Sequence, residues 1–201
     1  MRAGWLPHAL MALVLAGCGS ESTPEAEDTL TEDGAAVELT EAEVAEREAL
    51  SRCGVVGPDG YCGIRLGMSP EAAIAAFPVA LEKYDTAPPA DVDPLRCYEM
   101  FAAAPVTGVS LLVEGGAVGR IDFISATART ADGFGVGSQA SAIRAKFGAA
   151  VSEAPNIYEP EITDLSVTQG AAKYIFEVEN EAVRSWRVGV APAVDYPAHC
   201  S

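Results

Sequence analysis

Apolar and polar residues alternate through six runs, at residues 97–103, 109–114, 118–124, 165–169, 173–179 and 183–190. A period of two places each apolar set on one face of a strand. Val109, Leu111 and Val113 share a face, as do Ile121 and Phe123, and Tyr174, Phe176 and Val178 are matched by Trp186, Val188 and Val190. Gly115-Gly116 and Asn180-Glu181 supply two-residue turns between neighbouring runs, as tight hairpins require. Each group of three runs therefore predicts an antiparallel meander with one buried and one wet face.

A short helical stretch precedes each meander, opened by a glycine-framed segment with two inward apolar positions. These segments are Gly63-Ile64-Arg65-Leu66-Gly67 and Gly133-Phe134-Gly135-Val136-Gly137, and each is read as a short strand. At a shift of 70 residues Ala72, Ala75 and Phe77 recur as Ala142, Ala145 and Phe147, and Pro78 and Gly148 end the two helices. Ser69 before Pro70 caps the first helix, and Ser138 is expected to cap the second. Further on the shift becomes 65, with Val113-Glu114 and Val118 recurring as Val178-Glu179 and Val183, so the second copy has a loop five residues shorter. The expected fold class is α+β. Two tandem modules, residues 51–130 and 131–201 with a C-terminal tail, each set a short helix on a three- to four-stranded antiparallel meander.

Leu66-Gly67-Met68-Ser69 opening a short helix, then a loop, then a meander, resembles the tandem modules of the secreted β-lactamase inhibitor protein family and the single module of the small outer-membrane assembly lipoproteins BamE and SmpA. The likeness spans residues 63–192, and the second copy departs from it with Ser138 in the methionine's place. The cysteine pairs inside each inhibitor module have no counterparts here. The resemblance implies a protein-binding module and carries over no target.

The start of the chain has a different pattern. Arg2 is followed by eight apolar residues at 9–16, too few to cross a bilayer as a helix. They end in Leu15-Ala16-Gly17-Cys18, which resembles the lipobox of bacterial lipoproteins. That resemblance implies a signal peptide over residues 1–17, cleavage after Gly17 and lipidation of Cys18; two or three acyl chains anchor a protein durably. Gly19 stands where an aspartate is associated with retention at the inner membrane, so the expected location is the outer membrane, facing the periplasm. A host with a single membrane would display the protein on its surface.

Charge sharpens the division. The formal net charge is −16, and residues 19–50 hold eleven acids against Arg47 alone. Residues 18–50 are read as an acidic flexible tether, with Thr40 and Glu43 forming a capping box for a short helix through Ala49. So acidic a chain has no footprint for phosphate backbones, which excludes nucleic acid as a partner.

Beyond Cys18 there are four cysteines, Cys53, Cys62, Cys97 and Cys200, an even number in an oxidising compartment. Of the three pairings, Cys53 with Cys62 across the Gly57-Pro58-Asp59-Gly60 turn is preferred, leaving Cys97 to clamp the tail at Cys200. A loop that long stabilises by roughly 4–5 kcal/mol in the chain-entropy model.

Catalytic chemistry finds little to work with. His199 is the only histidine after the signal segment, so nucleophile–histidine schemes would depend on a residue at the chain end. No spacing suits a zinc site, and no cofactor or metal is expected. Gly135-Val136-Gly137-Ser138-Gln139-Ala140 matches a dinucleotide fingerprint, but it precedes an antiparallel meander rather than a parallel βαβ unit. Glu177 and Glu179 are read as acids on a solvated strand face rather than as an acid–base pair.

The remaining candidate is the polar side of the meanders. Arg120, Asp122, Glu177, Glu179 and Arg187 are expected to form a mixed-sign face that binds a partner. The expected function is a membrane-anchored, non-catalytic protein-binding module of the cell envelope. The alternative is an inhibitor of a hydrolase, of lysozyme or β-lactamase type, inserting Tyr158 or Tyr84 into its target. A small-ligand carrier or a hydrolase is the third reading.

Overall fold

The structure is a computed structural model and describes residues 40–83 and 97–198. Cys18, Tyr84, His199 and Cys200, with the signal segment and most of the tether, lie outside the described residues.

The fold is α+β, with a mostly antiparallel sheet and few helices. Helix α1 (Glu41–Ala49) comes first, then a small hairpin of β1 (Gly60–Tyr61) and β2 (Ile64–Arg65). Helix α2 (Pro70–Ala76) leads into β3 (Leu81–Lys83), β4 (Cys97–Ala102), β5 (Val109–Glu114) and β6 (Ala117–Phe123). Helix α3 (Ala140–Phe147) leads into β7 (Val151–Pro155), β8 (Thr163–Gln169), β9 (Ala172–Glu179) and β10 (Ala182–Gly189). The eight strands from β3 onward form one sheet in the order β3-β4-β5-β6-β10-β9-β8-β7. At its centre β6 meets β10 antiparallel, with Phe123 opposite Trp186 and Arg120 opposite Gly189.

The predicted alternation sets the buried face. Phe123 stacks on Trp186 at 4.3 Å between ring centroids, Trp186 lies 5.7 Å from Phe176, and Tyr61 meets Phe123 edge-on at 5.3 Å. Ala73 from α2 and Ile143 from α3 close this core and are fully buried. Asn180 and Glu181 take positive φ, as do Gly115 and Gly116, the conformation a two-residue hairpin needs.

Three local features differ from expectation. The segment 133–137 is a turn rather than a strand, whereas its counterpart contains β2. The edge strands β3 and β7 are too short and too exposed to announce themselves by alternation. Ser138 does not cap α3. Its hydroxyl accepts from the Gly135 N–H at 3.0 Å and from Arg129 at 3.1 Å, and Gln139 occupies the N-cap without a side-chain bond. Ser69 does cap α2, accepting from the Ala72 N–H at 3.3 Å.

The glycine-framed turns dock on the strands that follow. Gly67 N–H donates to Val118 O at 2.7 Å and Val118 N–H to Met68 O at 2.9 Å. Gly137 N–H donates to Val183 O at 2.7 Å and Val183 N–H to Ser138 O at 2.9 Å. Immediately after each of these valines a β-bulge interrupts the ladder, at Gly119 in β6 and at Arg184 in β10. A bulge re-aims the residues beside it, and here it sets what lies on the second face of the sheet.

Candidate functional site

The second face carries the charged residues. Arg120 and Asp122 come from β6, Ser185 and Arg187 from β10, Glu177 from β9 and Asp164 from β8. Arg187 sits opposite Asp122 across the β6–β10 junction, and Ser185 opposite Glu177. The sheet thus brings four of the five expected binding residues together; Glu179, at the exposed end of β9, stands outside the network.

Their role differs from a solvated mixed-sign surface. Arg120 and Arg187 are only 4 % and 5 % exposed. Arg120 Nε donates to Asp122 at 2.8 Å, its Nη2 lies 3.6 Å from Glu99, and its Nη1 donates to the carbonyls of Ala193, Tyr196 and Ala198 at 3.3, 2.9 and 3.2 Å. Arg187 Nη1 donates to Glu177 at 2.6 Å and its Nε to Val194 O at 3.0 Å. Both guanidiniums therefore hold the chain that follows β10 across the sheet. Sequence alternation identified the face but not the strap that covers part of it.

The strap lies close because the sheet is hollowed beneath it. A Cβ on Gly119 would stand 2.6 Å from Ala193 Cβ, and one on Gly189 would stand 2.5 Å from Gly119 O. Tyr196 Oη donates to Glu114 at 2.6 Å, which brings the strap beside Cys97, the register partner of Glu114. Burial raises the Asp122 carboxyl above the ordinary carboxylate range, and the Arg120 charge and hydrogen bond oppose that rise. Asp164 is raised for the same first reason, opposed by its bond from Asn156 and by Arg187.

The uncovered part of the face is a groove of about 410 Å³. Its lining includes Ser110, Asp122, Ser185 and Glu177, with Ile124 and Tyr158 among its apolar residues. Ile124 is 68 % exposed, Tyr158 62 % and its neighbour Ile157 70 %. The turn that carries Tyr158 is fixed from within. Buried Asn156 accepts the N–H groups of Tyr158 and Glu159 at 3.0 and 3.3 Å and donates to Asp164 at 3.2 Å, while Asn156 N–H donates to Ile162 O at 2.9 Å. Arg184, placed by its bulge, clamps Glu159 through two hydrogen bonds. Sequence reading named Tyr158; it missed Asn156, Arg184 and Asp164, whose importance comes from contacts between separate strands.

Among the described residues no group of three or more His, Cys, Asp or Glu side chains suits a metal ion, and no helix is long and apolar enough to cross a membrane. Cys53 and Cys62 are joined by a disulfide. Cys97 is also disulfide-bonded.

Neither a family model nor a curated protein matches the chain. Among solved structures, an extracellular protein containing an SCP domain from Bacillus anthracis str. Ames is similar at 10% identity and a TM-score of 0.36, covering 63% of this chain. The alignment spans 44% of that protein's length. The uncharacterized protein yfeY from Escherichia coli is similar at 14% identity and a TM-score of 0.38, covering 68% of this chain and 96% of its own.

Proposed function

We propose that this protein is a lipid-anchored, non-catalytic component of the cell envelope, tethered through Cys18 to the periplasmic side of the outer membrane. Its folded part is two tandem modules that dock another envelope protein on the groove of the shared sheet. The observation that carries the docking reading is a large apolar pair, Ile157 and Tyr158, held exposed on a hydrogen-bonded turn beside a groove with a polar floor. Rigid aromatic residues presented in this way serve as interface anchors because little conformational entropy is lost when they dock. The repeat reading is supported by the two helix-then-four-strand units, the matching turn-to-strand hydrogen bonds and the bulges at equivalent places. Arg120 and Arg187 act in this reading as supports of the groove, and the partner meets Ile124, Tyr158 and the rim.

The test is crosslinking in the native membrane, then affinity purification, for the wild type, Tyr158→Ala, Ile124→Ser and Cys18→Ser. One envelope protein enriched by the wild type, lost from Cys18→Ser and reduced at least tenfold in both groove variants supports the proposal. Equal enrichment by all four chains overturns it. Exposed Tyr158 also favours a second reading, inhibition of a hydrolase, in which a purified target loses activity in proportion to added wild-type protein and keeps it with Tyr158→Ala.

A further inference from the structure

The opposite side of the sheet holds a carboxylate with one buried oxygen that has no hydrogen-bond partner among the described residues. Glu46 lies on α1 one turn before Leu50, whose N–H donates to Glu46 O at 2.9 Å, and Leu50 is buried in the core. Residues four apart share a helix face, so Glu46 occupies the inward stripe where an apolar residue belongs. It is 7 % exposed, and its Oε1 is fully buried without a hydrogen-bond partner among the described residues. A carboxylate oxygen buried without a partner is costly, and such a group calls for an explanation.

The carboxylate lines a cavity of about 400 Å³ between α1 and the segment after β6. Ser51, Ser125 and Thr127 line the same cavity. Ser51 Oγ donates its proton to Glu48 O at 2.7 Å; of the Ser125 and Thr127 hydroxyls one donates to the other at 2.8 Å, leaving one proton free, and Ser125 Oγ also accepts the Thr127 N–H at 3.2 Å. Apart from Arg47, the polar side chains of the cavity therefore offer more lone pairs than free protons. A divalent cation favours several carboxylates, and Glu46 is the one carboxylate of this lining, whereas an ammonium brings a single charge with three donors and a guanidinium five, with no acceptor. Arg47 also borders the cavity yet forms no ion pair with Glu46 among the described residues. Glu46 also bears on buried Tyr61, whose phenol is pushed up to about 12, first by burial and then by the Glu46 charge.

We infer that this cavity is a binding site for one organic cation, the ammonium or guanidinium end of a lysine or arginine side chain or of a free small amine, held by Glu46. This site is separate from the groove and does not depend on the docking reading.

The experiment is calorimetric titration of the full chain with butylammonium, methylguanidinium and tetramethylammonium, the last carrying charge without N–H donors, alongside Glu46→Gln, Arg47→Gln and Glu48→Gln. Saturable binding of the first two probes is expected, weakened at least tenfold in Glu46→Gln, as for loss of a charge-assisted hydrogen bond. Glu48→Gln should bind as the wild type does, and Arg47→Gln should bind more tightly because a competing cation is gone. A capped Gly-Lys-Gly peptide binding more tightly than butylammonium assigns the cation to a protein side chain; the reverse order assigns it to a free amine. Absence of saturable binding, equal affinity for tetramethylammonium, or unchanged affinity in a folded Glu46→Gln overturns the inference. Retained near-ultraviolet dichroism of the Tyr61, Phe123 and Trp186 cluster reports that each variant is folded.

Discussion

Replacing Arg120 by methionine removes the central tie between the sheet and the chain that crosses it. The guanidinium donates four hydrogen bonds, one to Asp122 and three to strap carbonyls, and lies 3.6 Å from Glu99. Its side chain is 5% exposed. Removing one partner of a buried ion pair costs about 3–5 kcal/mol because the other charge is left behind, here Asp122 first and the more distant Glu99 second. For a domain of this size that corresponds to a fall in Tm of roughly 10 °C. The loss should depend on pH. The Asp122 carboxyl is already raised by burial and rises further without Arg120. A carboxyl whose folded pKa exceeds its unfolded value favours folding when protonated, so the contribution is present at low pH and is lost as pH rises toward the folded pKa. Arg120→Met should therefore regain stability relative to wild type as pH falls from 7 toward 4. Arg120→Met with Asp122→Leu should recover about half of the loss at neutral pH, since the Asp122 charge is gone while Glu99 and the strap carbonyls still lack their Arg120 contacts. Urea unfolding with the disulfides intact measures all three chains. A loss below about 1 kcal/mol, or an equal loss in the single and double variants at every pH, would refute the reasoning.

Gly119→Val drives a side chain into Ala193, so amide exchange and limited proteolysis should accelerate over residues 192–198 while β8 and β9 stay protected. Replacing Cys53 and Cys62 with serine opens a loop with a sequence separation of 9, and chemical denaturation should show a loss of about 2.5–3 kcal/mol in the chain-entropy model. Tyr61 and Tyr174 are both pushed up to about 12, first by burial; their stabilising contribution is complete below pH 10 and is lost as pH rises from 10 to 12, which stability measured against pH will show. Tyr158→Ala removes an exposed side chain, so its Tm should stay within about 2 °C of wild type while partner capture falls.

Sequence alone determined the six long strands, the two tight turns and the side of each strand that would be apolar. These follow from period-two alternation and from residues such as Asn180 and Gly115 that accept positive φ, both readable over a few neighbours. The Cys53–Cys62 bridge was legible for the same reason, because its ends lie close in the chain. Only the tertiary structure decided what the polar residues do. Arg120 carries the same charge in a string of letters whether it faces water or sits beneath Ala193 and Tyr196, residues more than 70 positions away. Ser138 looked like a cap until the folded turn presented Gly135 N–H and Arg129 to its hydroxyl. Glu46 read as one more acid of a solvated tether until Leu50, one turn on, was drawn into the core and carried it inside. Local periodicity fixes which face is apolar, but burial of a charge depends on which distant segment packs over it, and that choice belongs to the whole chain.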